Sequence, residues 1–224
     1  LEWLETNTFP EESKYKDAEY AQKAYGMFAE QLKKSATVRA CIFGTIHNEA
    51  TLILMDLLEE AGLHTMVGKV NMDRNSPDYL RELSAEESEE ATREWLKMAA
   101  DKNYDHTRSI LTPRFIPSCT DELMERLKGV QGDFGLPVQS HLSEGLGEIK
   151  WVNELEPGLT CYGEAYDRYG LMGSAVPAVM AHCVFPNEAE MELMRERKVM
   201  VAHCPECNMF AANIAPVREY LDSG

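Results

Sequence analysis

The chain is poor in positive charge: 22 Lys and Arg face 38 Asp and Glu, a formal net charge of −16 over 224 residues. Nucleic-acid affinity comes largely from clustered Lys and Arg that displace counterions from phosphates. The balance therefore argues against a nucleic-acid partner, while favouring solubility and leaving the fold undecided. Long apolar runs are missing too. The run 50–55 is ended by Asp56, far short of the roughly 20 residues that span a bilayer, so no membrane partner is expected. The N-terminus, Leu1-Glu-Trp-Leu-Glu5, has neither a basic segment nor a cleavable apolar stretch, and no secretory signal is read there. It also lacks an initiator Met, so the expectation is a piece cut from a longer chain. Cysteine is sparse, 6 residues in all, too few for a disulfide scaffold. Cys41, Cys183, Cys204 and Cys207 lie in or beside apolar runs, which fits reduced thiols and a cytoplasmic location. No Gly-rich fingerprint opens a helix, which disfavours dinucleotide binding. No repeat or linker interrupts the chain, and residues 1–224 read as one domain with room for a sizeable core.

What is present is alternation. Strand-like runs cover 37–46, 64–72, 109–115, 136–140, 177–181 and 199–202. Helical signals follow most of them. The run 50–61 is stopped by Gly62, and Ser84 with Glu87 spells a capping box. Asp121 and Glu122 suit a helix N-terminus near Thr120, residues 146–155 form a less regular acidic helix, and Asn187 with Glu190 caps another. A last helix spans 214–221. Six strands alternating with helices imply an α/β fold with a parallel sheet. An open sheet accounts for this, but a partial TIM-type (β/α)8 barrel is preferred. Three consecutive strands end in ligand-type residues, and barrel strand ends converge on one mouth.

Those endings carry the chemistry. The run 136–140 leads into His141-Leu-Ser-Glu144, Pro177-Ala-Val-Met-Ala181 into His182, and 199–202 into His203. A neutral imidazole can hold zinc, which lowers the pKa of a bound water to about 7. A carboxylate in reach can then carry the proton. His182 reads as orienting or polarising that water, with direct ligation as the alternative. The alternative for His141 and Glu144 alone is a surface pair at a helix start. Cys204 and Cys207 have zinc-knuckle or redox spacing, but a structural zinc site needs four ligands and no second pair exists. They read as a strand end and turn lining the site, with Asn208 as a polar contact. In Thr112-Pro-Arg-Phe115, an Arg fork can pair with adjacent acceptors on a planar ring, beside a Phe that packs on ring or wall. The alternative is an Arg in a surface ion pair.

Together these stretches resemble the guanine deaminases of the amidohydrolase superfamily. The matching pieces are Leu1-Glu-Trp-Leu with Thr8-Phe-Pro-Glu-Glu12, Ala40-Cys-Ile-Phe-Gly-Thr-Ile-His47, Val67-Gly-Lys-Val-Asn-Met-Asp73, Thr112-Pro-Arg-Phe115, Gln139-Ser-His-Leu-Ser-Glu144, Met180-Ala-His-Cys183 and Ala202-His-Cys-Pro205. The resemblance implies His141 as a zinc ligand from the fifth barrel strand. Glu144 would pass a proton from the activated water to the purine ring and on to leaving ammonia. His182 would stabilise the attacking oxygen. Arg114 and Phe115, beside His141 and Glu144, would bind guanine, with xanthine as product and a homodimer as the full-length assembly. The family's H-x-H pair of zinc ligands and its last-strand Asp find no match here, and Glu206-Cys207 replace the Thr/Ser-Ser pair before Asn208. The chain thus resembles about strands two to seven, with one of four zinc ligands, and is expected to be inactive alone. Two other readings stay open: an amidohydrolase acting on cytosine or an oxidised purine, and a non-catalytic binding remnant.

Overall fold

In the computed structural model, residues 3–173 and 175–223 are described. Leu1 and Glu2 of the first matching stretch lie outside them. The chain divides into two compact units, Leu1–Thr112 and Pro113–Gly224, each an α/β layer built on parallel strands. Among the described residues no helix is long and apolar enough to cross a membrane.

In the first unit, short helical segments at Leu4–Thr8, Phe9–Glu12 and Ser13–Lys16 lead into α1 (Ala18–Lys34), a helix the sequence reading does not anticipate. Its signals are local. Asp17 caps it by accepting the N–H groups of Glu19 and Tyr20 at 2.8 and 3.1 Å, and Ala21, Tyr25 and Ala29 recur at four-residue spacing as its buried stripe. It packs on α2 (Asn48–Glu60), whose Leu54 and Leu58 are fully buried. Strand β1 (Arg39–Phe43) pairs in parallel with β2 (His64–Gly68), and β2 with β3 (Thr107–Ser109). Helix α3 (Ala85–Asp101) connects the last two and buries Trp95 completely. Its cap differs from the expected box. Ser84 Oγ accepts the Glu87 N–H at 3.1 Å, but the Glu87 carboxylate reaches past Ser84 to the Leu83 N–H at 2.6 Å.

The Gly68-Lys-Val-Asn-Met72 stretch has a structural explanation. Lys69, 1% exposed, forms an ion pair with buried Glu82, and its Nζ also donates to the Val70 carbonyl at 3.2 Å. The second Glu82 oxygen accepts the Met72 N–H at 3.1 Å. Asn71 donates to Ser88 and Thr92 hydroxyls at 2.9 and 2.7 Å. Removing one partner of a buried pair strands the other charge in a low-dielectric interior. Lys69→Ala is therefore expected to destabilise the chain by about 3–5 kcal/mol, read as a lowered urea midpoint. A shift below about 1 kcal/mol would show that the pair is solvated.

The second unit repeats the logic. Thr120 caps α4 (Asp121–Phe134) by accepting the Leu123 N–H at 3.1 Å, and Gly135 closes it with φ of +63°. Strand β4 (Val138–Leu142) precedes α5 (Leu146–Leu155) and the short α6 (Glu164–Asp167). Then come β5 (Ala178–His182), α7 (Glu188–Arg197), β6 (Met200–Ala202), α8 (Pro205–Phe210) and α9 (Val217–Ser223). The sheet order is β4-β5-β6, all parallel. Strands are found in all six expected regions, but two regions divide: 64–72 into His64–Gly68 and Val70–Asn71, and 109–115 into Thr107–Ser109, displaced toward the N-terminus, and Thr112–Pro113.

Candidate active site

The site lies within the second unit, at the C-terminal ends of β4 and β5. In their register His141 stands opposite Ala181, and Leu142 opposite His182. Residues directly opposite share a face, so strict alternation would send the two imidazoles to opposite sides. The backbone breaks the alternation. His182 has φ of +73° and Cys183 φ of +46°, and Ser143, just past β4, has φ of +48°. A left-handed backbone costs a residue with a Cβ about 1–2 kcal/mol, and such residues cluster where geometry serves function. The result is that the two rings stack, with centroids 5.4 Å apart and planes 19° from parallel.

Each ring has one nitrogen committed behind it. His141 Nδ1 lies 2.7 Å from the Arg114 carbonyl oxygen, which can only accept, so Nδ1 carries the proton and Nε2 keeps its lone pair. Burial holds this imidazole well below its ordinary range, to about 3, so it is neutral at pH 7. His182 Nδ1 lies 2.9 Å from Asn208 Oδ1, and its Nε2 is 3.6 Å from Glu144 Oε1. Asn208, 2% exposed, is thus a direct partner of His182. Glu144 keeps 43% of its side chain exposed, open to a substrate.

Buried side chains hold this constellation from behind. The Tyr166 hydroxyl lies 2.8 Å from both the His141 carbonyl oxygen and Ser140 Oγ. Glu148 Oε2 accepts the Glu144 N–H at 3.0 Å, and Oε1 accepts the Tyr162 hydroxyl at 2.9 Å. Burial pushes the Glu148 carboxyl up to about 7, with the nearby Glu144 charge adding to the rise and the Tyr162 hydroxyl opposing it. The Ser143 hydroxyl donates to Glu190 Oε2 at 2.6 Å. Phe115 is buried, its ring edge-on to Trp151 at 6.1 Å between centroids. Arg114 follows the short strand segment Thr112–Pro113 and is partly exposed.

The structure brings together His141, Glu144 and His182, with Arg114 joined to His141 through its carbonyl. His203 does not join them: it lies beyond the end of β6 and is exposed. Cys204 is half-buried with its Sγ turned to the Ala202 carbonyl at 3.3 Å, and Cys207 is exposed. Sequence reasoning misses Trp151, Tyr162, Tyr166, Glu148 and Glu190. Tyr166 and Glu190 touch residues 25 to 47 positions away, where no spacing pattern links them, whereas Glu148 sits only four residues after the Glu144 whose N–H it accepts, a local spacing that could have been read.

A zinc ion fits His141. The tautomer is fixed by a backbone acceptor on the far nitrogen, the arrangement that orients metal-binding histidines, and the ring is neutral. Among the described residues no three His, Cys, Asp or Glu come together to hold a metal, so His141 would be one ligand of a larger set.

The model of the amidohydrolase family matches residues 1–224. In sequence the chain is similar to the guanine deaminase of Dictyostelium discoideum, 37% identical over 224 residues that cover 100% of this chain and 49% of that protein. In structure it is similar to the guanine deaminase from C. acetobutylicum with bound guanine in the active site. That likeness has a TM-score of 0.94 and 42% identity, and covers 99% of this chain and 52% of the other. The fold alone is shared with an adenosine deaminase from Xanthomonas campestris with bound zinc, at TM-score 0.79 and 22% identity over 99% of this chain and 48% of that one. The chain spans about half the length of the curated relatives it matches.

Proposed function

The chain belongs to the amidohydrolase family, and from that premise we propose that the protein containing it is a zinc-dependent guanine deaminase, which converts guanine and water into xanthine and ammonia. The observation that carries the reading is the placement of Glu144 beside His182 Nε2 at 3.6 Å, next to a neutral His141 whose other nitrogen is already committed. The similarity to guanine deaminases supports the choice of substrate. We also assign the six strands to about strands two to seven of a (β/α)8 barrel, with residues 1–224 belonging to one domain.

His141 would contribute one zinc ligand. When bound, zinc supplies a Lewis acid that makes water nucleophilic near neutral pH. Glu144 takes one proton of the attacking water to the purine ring, and then the second proton, from the hydroxyl now on C2, to the amine that departs as ammonia. His182, held by Asn208, orients and stabilises the attacking oxygen. Arg114 and Phe115 hold the planar base, which places C2 against Glu144, and Trp151 sets the Phe115 ring. Orientation and fixed electrostatics supply most of the acceleration. A cytoplasmic homodimer fits this reading.

Xanthine formation from guanine by the full-length protein, with zinc content measured on the same sample, tests the proposal; a zinc-loaded protein that leaves guanine untouched would end it. The 224-residue chain by itself is expected to bind zinc weakly and to form no xanthine, because its described residues assemble no complete ligand set. Tight stoichiometric zinc and turnover from the chain alone would overturn that expectation.

A further inference from the structure

Glu190 is a buried carboxylate that the roles above leave unused. It sits in the first turn of α7 and is 1% exposed. Asn187 caps that turn by accepting the Glu190 N–H at 2.9 Å, so the Glu190 carboxylate is free to turn inward. One oxygen accepts the Ser143 hydroxyl at 2.6 Å and the other the Gly163 N–H at 2.8 Å. Gly163 packs closely: a Cβ there would meet Met172 Cε at 2.9 Å and Leu193 Cδ2 at 3.1 Å, so these side-chain ends would have to shift. A buried carboxylate is tolerated only where donors hold it, and both its oxygens are held here.

The residue it grips is placed to matter. Ser143 is 1% exposed, adopts φ of +48°, and immediately precedes Glu144. Its carbonyl accepts the N–H groups of Val184 and Phe185, both at 3.0 Å, from the segment just after His182. The turn between the two halves of His141-Leu-Ser-Glu144 is thus pinned by its side chain to α7 and by its carbonyl to the end of β5. We propose that Glu190 is a positioning residue for the deamination. By holding Ser143 in its left-handed conformation it sets the direction in which Glu144 leaves the strand end, and hence where the proton carrier stands relative to His182 and the substrate. This rests on the guanine deaminase reading of the same site.

The test compares Ser143→Ala, Glu190→Ala, Glu190→Gln and the double Ser143→Ala/Glu190→Ala in the full-length zinc-loaded protein. Misplacement of a reacting group by about 1 Å costs on the order of 100-fold. Ser143→Ala and Glu190→Ala are each expected to lower kcat by about 10–100-fold, with KM for guanine and zinc content little changed. Gln can accept the Gly163 N–H and donate its amide to Ser143 Oγ, so Glu190→Gln should restore kcat to within about 3-fold, and the double variant should be no worse than the lower single. Wild-type kcat in Ser143→Ala, or losses that multiply in the double variant, would overturn the proposal. If Glu190→Ala does not fold, Ser143→Ala and Glu190→Gln decide it on the same terms. If the wild-type protein fails to deaminate guanine, the functional reading falls separately. The brace is then judged from a crystal structure of Ser143→Ala, where an unchanged Glu144–His182 separation of 3.6 Å counts against it and a lengthened one supports it.

Discussion

Glu144→Gln in the full-length protein is expected to lower kcat for guanine by about 10²–10⁴-fold, the range that a positioned proton carrier contributes. The substitution keeps the shape of the side chain and replaces an oxygen that can take up and release a proton by an amide that cannot. The amide oxygen can still face His182 Nε2, which lies 3.6 Å from the carboxylate in the native protein. The partner of His182 is kept while the proton route is lost. Zinc content and KM should hardly move. A kcat within about 10-fold of wild type would place Glu144 among residues that only bind or orient.

The second large effect separates the two histidines. His141→Ala is expected to cost at least about 100-fold in zinc affinity, because even partners behind a ligand cost 10–100-fold when removed. The measurement is zinc retained per chain against a competing chelator. His182→Ala should leave zinc largely in place and still depress turnover, since His182 is tied to Asn208 and faces Glu144. If both variants lose zinc equally, His182 is a ligand as well. If neither does, His141 is not one.

The strands are readable because they are set by local pattern: apolar runs of four to ten residues, most of them followed by a turn or cap. Helix α1 was overlooked although its cap and its Ala21, Tyr25, Ala29 stripe are local too; its surface is so polar that the stripe is thin. Within the site, His141, Glu144 and His182 were legible as strand-end residues, and the same rule wrongly drew in His203, which the end of β6 at Ala202 leaves exposed. The difference lies in backbone angles that no residue type announces. Ser and Cys carry no signal for positive φ and His only a weak one, yet the turn at His182 is what brings its ring over His141. The supports from Tyr166 and Glu190 are invisible for a related reason: a contact between residues some twenty-five to fifty positions apart has no periodicity to betray it.

The three left-handed residues at the strand ends bear on any attempt to make this protein sturdier. Glycine would relieve the backbone at Ser143, His182 or Cys183, and a search guided by melting temperature alone would find those positions attractive. At Ser143 the exchange would leave the Glu190 carboxylate short of one donor, and at His182 it would delete an imidazole that no neighbour replaces. The tension stored there is the working part of the molecule. Useful thermostabilising changes belong at places where shape and chemistry are not coupled, such as exposed helix positions in α1.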